Sequence, residues 1–337
     1  MTENSAFLTS QLITYLGNKR SLIGYIENEV KQIAELLHKD KLVCADLFSG
    51  SGVVARLLKG YSSQLIVNDL EDYSRVINSC YLSNKKDYPA RLCSEYRKKI
   101  LALAEEKKLA GIITKNYAPK NDKKIQKGER VFYTHQNALL LDTYRTLIDK
   151  VVEKPELRRF FLAPLITEAS VHTNTSGVFK GFYKDKNTGL GCFGASGKDA
   201  LTRILGAIEL KEPVFSNFES DLTIYQKDAV ELAGQLKGLD ITYLDPPYNQ
   251  HPYGSNYFML NLILKNTLFC SQQPALQLLR KGVRHQLTHR TLLVDFYLWE
   301  PAEEPVLPDG YRWIDEAELD RYAKPRLFEL LLESLPR

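Results

Sequence analysis

Two different spacings of apolar residues organise the first quarter of the chain. Residues 22–38 (LIGYIENEVKQIAELLH) have helical spacing, with apolar positions at Leu22, Ile23, Ile26, Val30, Ile33, Leu36 and Leu37. KLVCADLFSGSG (41–52) predicts a short strand that runs into a glycine-rich turn. VVARLLKGY then predicts a helix, and SQLIVNDLEDYSRVINSCYL a second strand, an acidic strand end and another helix. This alternation predicts a parallel, doubly wound α/β sheet.

The middle of the chain, about residues 85–215, breaks the alternation. EYRKKILALAEEKKLAG (95–111) predicts a charged helix, and TKNYAPKNDKKIQKGERVFYTHQN (114–137) a basic loop. HTNTSGVFKGFYKDKNTGLGCFGASGK (172–198) is rich in glycine, aromatic residues and lysine. Basic residues interleaved with aromatic ones suit contacts with phosphates and stacked bases, a composition that ordinary surface loops also have.

Strand–helix–strand alternation resumes in residues 214–248. The middle therefore reads as an insertion within one α/β domain. We expect residues 1–85 and 214–267 to form that domain, residues 86–213 the insertion, and residues 268–337 a separate tail.

Composition narrows the class of protein. With 44% hydrophobic and 26% charged residues, the chain is typical of globular proteins, and it has no apolar run near the roughly 18 residues of a membrane span. Its N-terminus, MTENSAFLTSQ, lacks the features of a signal peptide. The five cysteines are far apart and have no metal-ligand spacing. These features predict a cytoplasmic protein with reduced thiols, no metal site and no membrane partner.

Charge is unevenly distributed. Residues 1–270 hold 36 Lys and Arg against 30 Asp and Glu, whereas residues 271–337 hold 9 against 11. The larger, mildly basic part suits a polyanionic partner such as DNA. A mixed, solvated surface has the same balance, so charge alone leaves both interpretations open.

Polar residues follow the first two predicted strands. Asp46 opens the turn DLFSGSG, whose glycines let the backbone approach a ligand closely and leave helix N-terminal amides free. Asp69 follows the second strand, and an acid at this spacing can accept hydrogen bonds from both ribose hydroxyls of a nucleoside. A structural turn and a helix N-cap are the alternative interpretations of these two features.

A third strand end carries DPPY (245–248). An exocyclic amine is a poor nucleophile because its lone pair is delocalised into the ring, and acceptors aimed at both N–H groups favour a more nucleophilic nitrogen. The Asp245 carboxylate and the Pro246 carbonyl can be those acceptors, since Pro246 and Pro247 restrict the backbone. Tyr248 can stack on a base that has left the duplex. A proline-ended strand with a turn is the structural alternative.

Four motifs in order, YLGNK (15–19), DLFSGSG (46–52), VNDL (67–70) and DPPY (245–248), carry a family resemblance. Over about residues 10–265 the chain resembles the D12-class, Dam-like adenine-specific DNA methyltransferases. The resemblance implies a Rossmann-like fold that uses S-adenosylmethionine and acts on duplex DNA, with the insertion serving in target recognition. It also makes a cognate restriction endonuclease a candidate partner.

The resemblance assigns roles to individual residues. For the cofactor they are Tyr15, Gly17, Lys19, Asp46, Phe48, Gly50, Gly52, Asp69, Asp228 and Asp245. A sulfonium ion also favours nearby aromatic faces such as Phe48 or Tyr15. For catalysis they are Asp245, Pro246, Pro247 and Tyr248. HTNTSGVFKGFYKD resembles the DNA-contacting region of the family, which makes Asn174, Ser176, Lys180 and Lys184 candidates, with ordinary surface polarity as the alternative.

Beyond about residue 268 the chain changes character. LTHR (287–290), TLLVDFYLW (291–299) and YRWIDEAELDRYAKPRLFELL (311–331) resemble the Nudix-like C-terminal domain of adenine DNA glycosylases. In that family, positions matching Thr288 and His289 approach the damaged guanine, although His289 also fits an ordinary surface or packed histidine. We interpret the tail as an α+β Nudix-like fragment fused to a methyltransferase truncated after its DPPY strand. The alternative is that the tail supplies strands to the open sheet.

The leading hypothesis is N6-adenine methylation of a specific duplex DNA site. Methylation of another planar amine (cytosine N4, RNA adenine or a protein glutamine) is a second hypothesis. A third is a catalytically incomplete fusion remnant that binds DNA without turnover. Product analysis separates the first two, and cofactor titration separates both from the third.

Overall fold

The structure of the chain is a computed structural model that describes residues 2–194, 198–247, 253–266, 277–287, 290–298, 318 and 326–334. Along the chain it divides into two compact units, residues 1–267 and residues 268–337. Each unit is described by itself.

A four-stranded parallel sheet forms the centre of the first unit. Its strands are β1 (Leu42–Asp46), β2 (Ser62–Asn68), β3 (Asp221–Tyr225) and β4 (Ile241–Tyr243). Their spatial order is β3-β2-β1-β4, so the order along the sheet reverses between β1 and β4. The register aligns the last residue of β1, Asp46, with Val67 and Tyr243, which brings the carboxyl ends to one edge. The predicted α/β fold with a parallel sheet is confirmed.

α-Helices account for about half of the remaining described residues of this unit. They are α1 (Ser5–Thr9), α2 (Ile23–Leu36), α3 (Val53–Tyr61), α4 (Asp72–Tyr81), α5 (Ala90–Glu106), α6 (Ile112–Tyr117), α7 (His135–Val151), α8 (Arg159–Val171), α9 (Lys198–Leu205), α10 (Ala229–Gln235), α11 (Tyr253–Asn256) and α12 (Phe258–Lys265). Among the described helices, none combines the length and apolarity that crossing a membrane requires.

Side chains of the central strand alternate between two apolar layers, as a strand buried on both faces requires. Cys44 of β1 packs in a cluster with Val30 of α2 and Leu58 of α3. The next residue, Ala45, packs in another cluster with Leu232 of α10. Helices therefore cover both faces of the sheet, as in a doubly wound fold.

The first predicted helix forms, but its apolar positions are less buried than their spacing suggests. α2 begins at Ile23, after a single 3₁₀ turn over Arg20–Leu22, and ends at Leu36. Val30 is 3% exposed, whereas Leu36 is 78% exposed. The helix packs through a narrow stripe around Val30, with Ile26 and Ala34 partly buried beside it.

The inserted segment, residues 86–213, shares its core with the rest of the unit. Ile148 of α7 and Phe160 of α8 are fully buried in the same cluster as Ile77 of α4 and Leu260 of α12. Along the chain, α4 follows the second strand, and α12 follows the fourth strand after α11. The insertion is therefore packed directly against elements that follow two of the predicted motifs.

The second unit contains an antiparallel hairpin and a helix. Strand β5 (Gln277–Leu287) pairs with β6 (Arg290–Leu298), and α13 spans Arg326–Leu332. β6 corresponds to the strand predicted over 291–299. The Nudix-like assignment and the domain boundaries stay predictions, and Thr288 and His289 lie outside the described residues.

Candidate active site

A cavity opens where the order of the strands reverses, at the carboxyl ends of β1 and β4. In doubly wound sheets this position collects ligands, because the connections from the two strands leave in opposite directions. The cavity has a volume of about 460 Å³. Among the residues that line it are six predicted from the sequence: Tyr15, Phe48, Asp69, Asp228, Asp245 and Pro247.

The glycine-rich turn after β1 packs against Tyr15. Gly50 has φ +50°, and a Cβ added there would lie 2.7 Å from the Tyr15 ring. Gly52, at the start of α3, has φ +75°, and its added Cβ would overlap the Asn78 side chain. Both positions need glycine for backbone conformation and for space. The turn therefore fixes how closely Tyr15 approaches the end of β1.

Asp69 links the turn to the end of β2. Its Oδ2 accepts a hydrogen bond of 2.7 Å from the Gly50 N–H, and its Oδ1 accepts one of 3.0 Å from the Glu71 N–H. Burial raises the pKa of the Asp69 carboxyl, and these N–H groups oppose the rise. The N-cap residue of α4 is Glu71, without a side-chain capping bond, so Asp69 is not the N-cap of that helix.

Asp46 lies beneath the cavity at the last position of β1. The residue is 1% exposed, and its Oδ1 accepts a 3.3 Å hydrogen bond from the Phe48 N–H. The pKa of Asp46 is raised to about 7, first by burial and then by the charges of Asp69 and Asp245, while hydrogen bonds from the backbone oppose the rise. Asp46 is therefore positioned to stabilise the backbone of the turn.

We expect the contribution of Asp46 to the free energy of unfolding, measured without cofactor as the difference between the wild type and Asp46→Asn, to fall as the pH rises from about 4 to about 7. The pKa of Asp46 is about 7 in the fold against a model-peptide value of 3.8, so in this window the folded state holds a proton that the unfolded chain has lost. One such group contributes a slope of at most about 1.4 kcal/mol per pH unit. Chemical denaturation at several pH values measures the slope.

Asp46→Asn is the matched control for this pH dependence. Its amide oxygen can still accept from the Phe48 N–H but cannot ionise, so the slope should become shallower. The slope that remains in Asp46→Asn comes from the other carboxyl groups, whose pKa values are raised at Asp69 and lowered at Glu168. Equal slopes in the wild type and Asp46→Asn would contradict the role given to Asp46.

Asp245 follows β4 and is ion-paired across the cavity mouth. Its Oδ2 lies 2.6 Å from Lys19 Nζ, which also donates to the Gly17 carbonyl at 2.9 Å. Gly17 has φ +73°, so the YLGNK segment turns back on itself at this point. Two motifs that are more than 200 residues apart in the sequence therefore meet through one ion pair. Pro246 and Pro247 are exposed, and Tyr248 lies outside the described residues.

Most of the chain matches a known protein family. Residues 15–269 match the family of D12 class N6 adenine-specific DNA methyltransferases. The chain belongs to this family. The predicted function, DNA adenine methylation, is confirmed, and the resemblance of the tail to glycosylases is not tested by this match.

Three relatives illustrate the similarity of this D12-class methyltransferase to known enzymes. Type II methyltransferase M.NlaIII of Neisseria lactamica is 31% identical over 258 residues, which cover 74% of this chain and 69% of the relative. M.CviAII of Paramecium bursaria Chlorella virus 1 is 30% identical over 258 residues, covering 75% and 69%. M.FokI of Planomicrobium okeanokoites is 26% identical over 259 residues, covering 74% and 36%. No solved structure matches the chain.

Asp228 borders the cavity of the methyltransferase and caps a helix. Its Oδ1 accepts hydrogen bonds from the N–H groups of Val230 (2.8 Å) and Glu231 (3.1 Å) at the start of α10. Its role as a cofactor ligand stays a prediction, since the N-cap bonds alone account for an aspartate here. Among the described residues, no group of three or more His, Cys, Asp or Glu side chains is arranged to hold a metal ion.

Sequence patterns did not identify two residues that position the predicted site. The Tyr257 ring stacks on Tyr15 with centroids 5.0 Å apart, and its hydroxyl accepts a 2.7 Å hydrogen bond from the Leu16 N–H. Asn261 accepts from the Tyr73 N–H at 3.0 Å and donates to Glu71 at 2.8 Å. Both residues belong to SNYFMLNLILKN, whose apolar spacing predicts a helix but gives no signal for these polar contacts.

The four predicted DNA-binding residues fall into two environments. Asn174 is fully buried, donates to the carbonyls of Val131 and Cys192 at 2.7 Å each, and accepts from the Gly194 N–H at 2.9 Å. Ser176, Lys180 and Lys184 are exposed. Lys184 Nζ lies 5.3 Å from the centre of the Phe182 ring. DNA contact by these residues stays a prediction.

We expect Asn174→Ala to lower the free energy of unfolding by roughly 2–4 kcal/mol, because each buried polar group left without a partner costs about 1–3 kcal/mol. Ser176→Ala is the control, since this exposed side chain lies two residues away, and its effect should stay within about 0.5 kcal/mol. Denaturation curves measure both. If Asn174→Ala is as stable as Ser176→Ala but loses DNA affinity, Asn174 acts on DNA rather than on the loop.

Proposed function

We propose that the chain transfers a methyl group from S-adenosylmethionine to N6 of an adenine that is flipped out of duplex DNA. The observation that carries this proposal is the convergence of Tyr15, Phe48, Asp69 and Asp245 on one cavity at the strand-order reversal. Members of the family generally use this cofactor, and the cavity offers the groups that it requires.

The residues of the cavity fit the cofactor. Asp69 lines the cavity, and the Gly50 and Glu71 N–H groups orient its carboxylate, which can accept hydrogen bonds from a ribose hydroxyl. The faces of Phe48 and Tyr15 suit a positively charged sulfur. Asp228, Asp46 and the backbone of Gly50 and Gly52 complete the proposed binding region. When bound, the cofactor supplies an electrophilic methyl group on that sulfur.

We assign orientation of the adenine amine to the DPPY motif. The Asp245 carboxylate and the Pro246 carbonyl accept hydrogen bonds from the two N6–H groups, and Pro247 restricts the backbone at Pro246. Lys19 holds the carboxylate at 2.6 Å, so its direction is set before the substrate arrives. The excess proton of the methylated amine passes to solvent or to Asp245. Tyr248 is proposed to stack on the base.

DNA binding is proposed for the exposed part of the 172–194 segment. Ser176, Lys180 and Lys184 are accessible, and the two lysines supply positive charge for phosphates. We propose that Asn174 holds this segment in shape, because all its described hydrogen bonds run to backbone groups of the protein. By analogy with the Type II methyltransferases, we also propose a restriction endonuclease that recognises the same DNA site.

Incubation of the full chain with labelled S-adenosylmethionine and mixed-sequence duplex DNA tests the function. We expect label in N6-methyladenine after digestion to nucleosides. Label in N4-methylcytosine, or only in RNA or protein substrates, would replace the proposed substrate. Saturable cofactor binding without any transfer, by a folded protein, would remove the proposed activity while leaving the cofactor site.

A further inference from the structure

A strongly basic loop contains none of the residues to which a role is assigned above. We use the name basic loop for residues 115–130, which comprise the last turn of α6 and the residues that follow it toward α7. Six of its side chains are exposed cations, and they are Lys115, Lys120, Lys123, Lys124, Lys127 and Arg130. Asp122 and Glu129 are its acidic residues. The balance is +4 over 16 residues, the same as the net charge of the whole chain.

Both acids of the basic loop are engaged by backbone groups. Glu129 accepts from the N–H groups of Lys120 at 2.9 Å and Gln126 at 2.7 Å, which closes the loop on itself. Asp122 accepts from the His135 N–H at 2.9 Å. Within the described ranges, none of the six cations forms a salt bridge, and the loop holds three times as many cations as acids, so an excess of positive charge faces the solvent.

Direct contacts join the two residues that follow the basic loop to the segment that carries Lys180 and Lys184. Asn174 bonds both the Val131 carbonyl, just after the loop, and the Cys192 carbonyl. The rings of Phe132 and Phe182 meet edge to face with centroids 5.3 Å apart. The chain that leaves the basic loop is therefore packed against the segment that carries the other two lysines.

The same aromatic contacts lead to the region that follows DPPY. Phe258, the first residue of α12, has its ring centroid 5.8 Å from that of Tyr117 and 6.2 Å from that of Phe132. The Phe179 N–H donates to the Asn256 carbonyl at 2.8 Å. Arg130 also lies over the Tyr117 ring, 5.0 Å from its centre. Packing thus attaches both basic segments to the chain next to the proposed adenine-binding motif.

We propose that the basic loop is a second phosphate-binding surface, which contacts the backbone of duplex DNA beside the flipped adenine. This inference rests on the proposed function, because the duplex must run past Asp245 for its neighbouring phosphates to reach the loop. Unpaired lysines on a loop closed by backbone hydrogen bonds supply affinity through counterion release rather than through base recognition. The partner is therefore the DNA backbone, and the contribution is independent of base sequence.

The salt dependence of DNA binding tests this inference. The test variant replaces Lys120, Lys123, Lys124 and Lys127 with glutamine in the full chain. The control variant removes the same charge by Lys→Gln changes at Lys98, Lys99, Lys107 and Lys108, exposed lysines on α5 and directly after it. The dissociation constant for a duplex that carries the methylation site, and for one that lacks it, is measured over a range of salt concentrations.

We expect the slope of log affinity against log salt to become shallower in the test variant, by as much as about 3.6 if each lysine contacts one phosphate. The loss should be equal for the two duplexes, and the control slope should match that of the wild type. Equal slopes in the test and control variants would overturn the inference, as would a loss confined to the specific duplex. A wild type that methylates no DNA would refute the proposed function instead.

Discussion

Asp245→Ala is expected to lower kcat for DNA methylation by at least about 10²-fold, the usual effect of removing one preorganised polar group from a reacting centre. The substitution removes the proposed acceptor for an N6–H group of the adenine. It also leaves Lys19 without the carboxylate that lies 2.6 Å from its Nζ. Single-turnover methylation at saturating cofactor and DNA measures the chemical step, and a separate titration measures cofactor affinity.

Asp240 provides a matched control on the same segment of chain. It precedes β4, pairs with Lys39 at 2.7 Å, and accepts from the Val43 N–H at 2.8 Å. Asp240→Asn keeps an acceptor for Val43 and loses a partly exposed ion pair, so we expect a stability loss below about 1 kcal/mol and an unchanged kcat. If Asp245→Ala methylates DNA as fast as Asp240→Asn, the orienting role of Asp245 is wrong.

The sheet and its strand-end motifs were predictable because their signals are local. An apolar run predicts the buried strand β1. Gly50 and Gly52 directly after it predict a turn, because glycine readily adopts the positive φ angles that they have in the structure. The alternation of strands and helices then predicts a parallel sheet. In such a sheet Asp69 and Asp245 lie at the same edge, and this follows without any knowledge of packing. Together with the family resemblance, this reasoning identifies six of the fourteen residues that line the cavity.

The rest of the site depends on contacts between distant parts of the chain. Nothing in the sequence around Asn174 distinguishes a DNA ligand from a buried side chain, because Val131 and Cys192, its partners, lie 43 and 18 residues away. Tyr257 lies in an apolar stretch, and no feature of that stretch predicts that its ring stacks on Tyr15. Polar residues that support a site obtain their roles from tertiary packing, which has no short-range pattern.

Packing also changes the interpretation of the insertion. The composition of residues 86–213 predicts a segment distinct from the flanking α/β segments. In the structure, however, α7 and α8 bury residues in one core with α4 and α12. The elements after two motifs, VNDL and DPPY, are thereby held by the segment that we propose contacts DNA.

Gly50→Ala should weaken cofactor binding by about 10–100-fold and lower the free energy of unfolding by about 2 kcal/mol. Alanine at φ +50° costs roughly 1–2 kcal/mol, and its Cβ would lie 2.7 Å from the Tyr15 ring, which would have to move. Displacing Tyr15 changes the wall of the cavity and its stacking on Tyr257, and small misplacements in such sites have large effects. Calorimetric titration with S-adenosylmethionine and denaturation curves measure the two quantities.

Alanine substitutions at two further glycines separate the conformational cost of Gly50→Ala from the effect of its contact with Tyr15. Gly238 has φ +71° with no atom near its added Cβ, so Gly238→Ala should show the conformational cost without weakening cofactor binding. Gly24 lies inside α2 in open space, where alanine should stabilise the chain by about 0.5–1 kcal/mol. Cofactor affinity in Gly50→Ala equal to that in Gly238→Ala would show that the contact between the turn and Tyr15 does not shape the cofactor site.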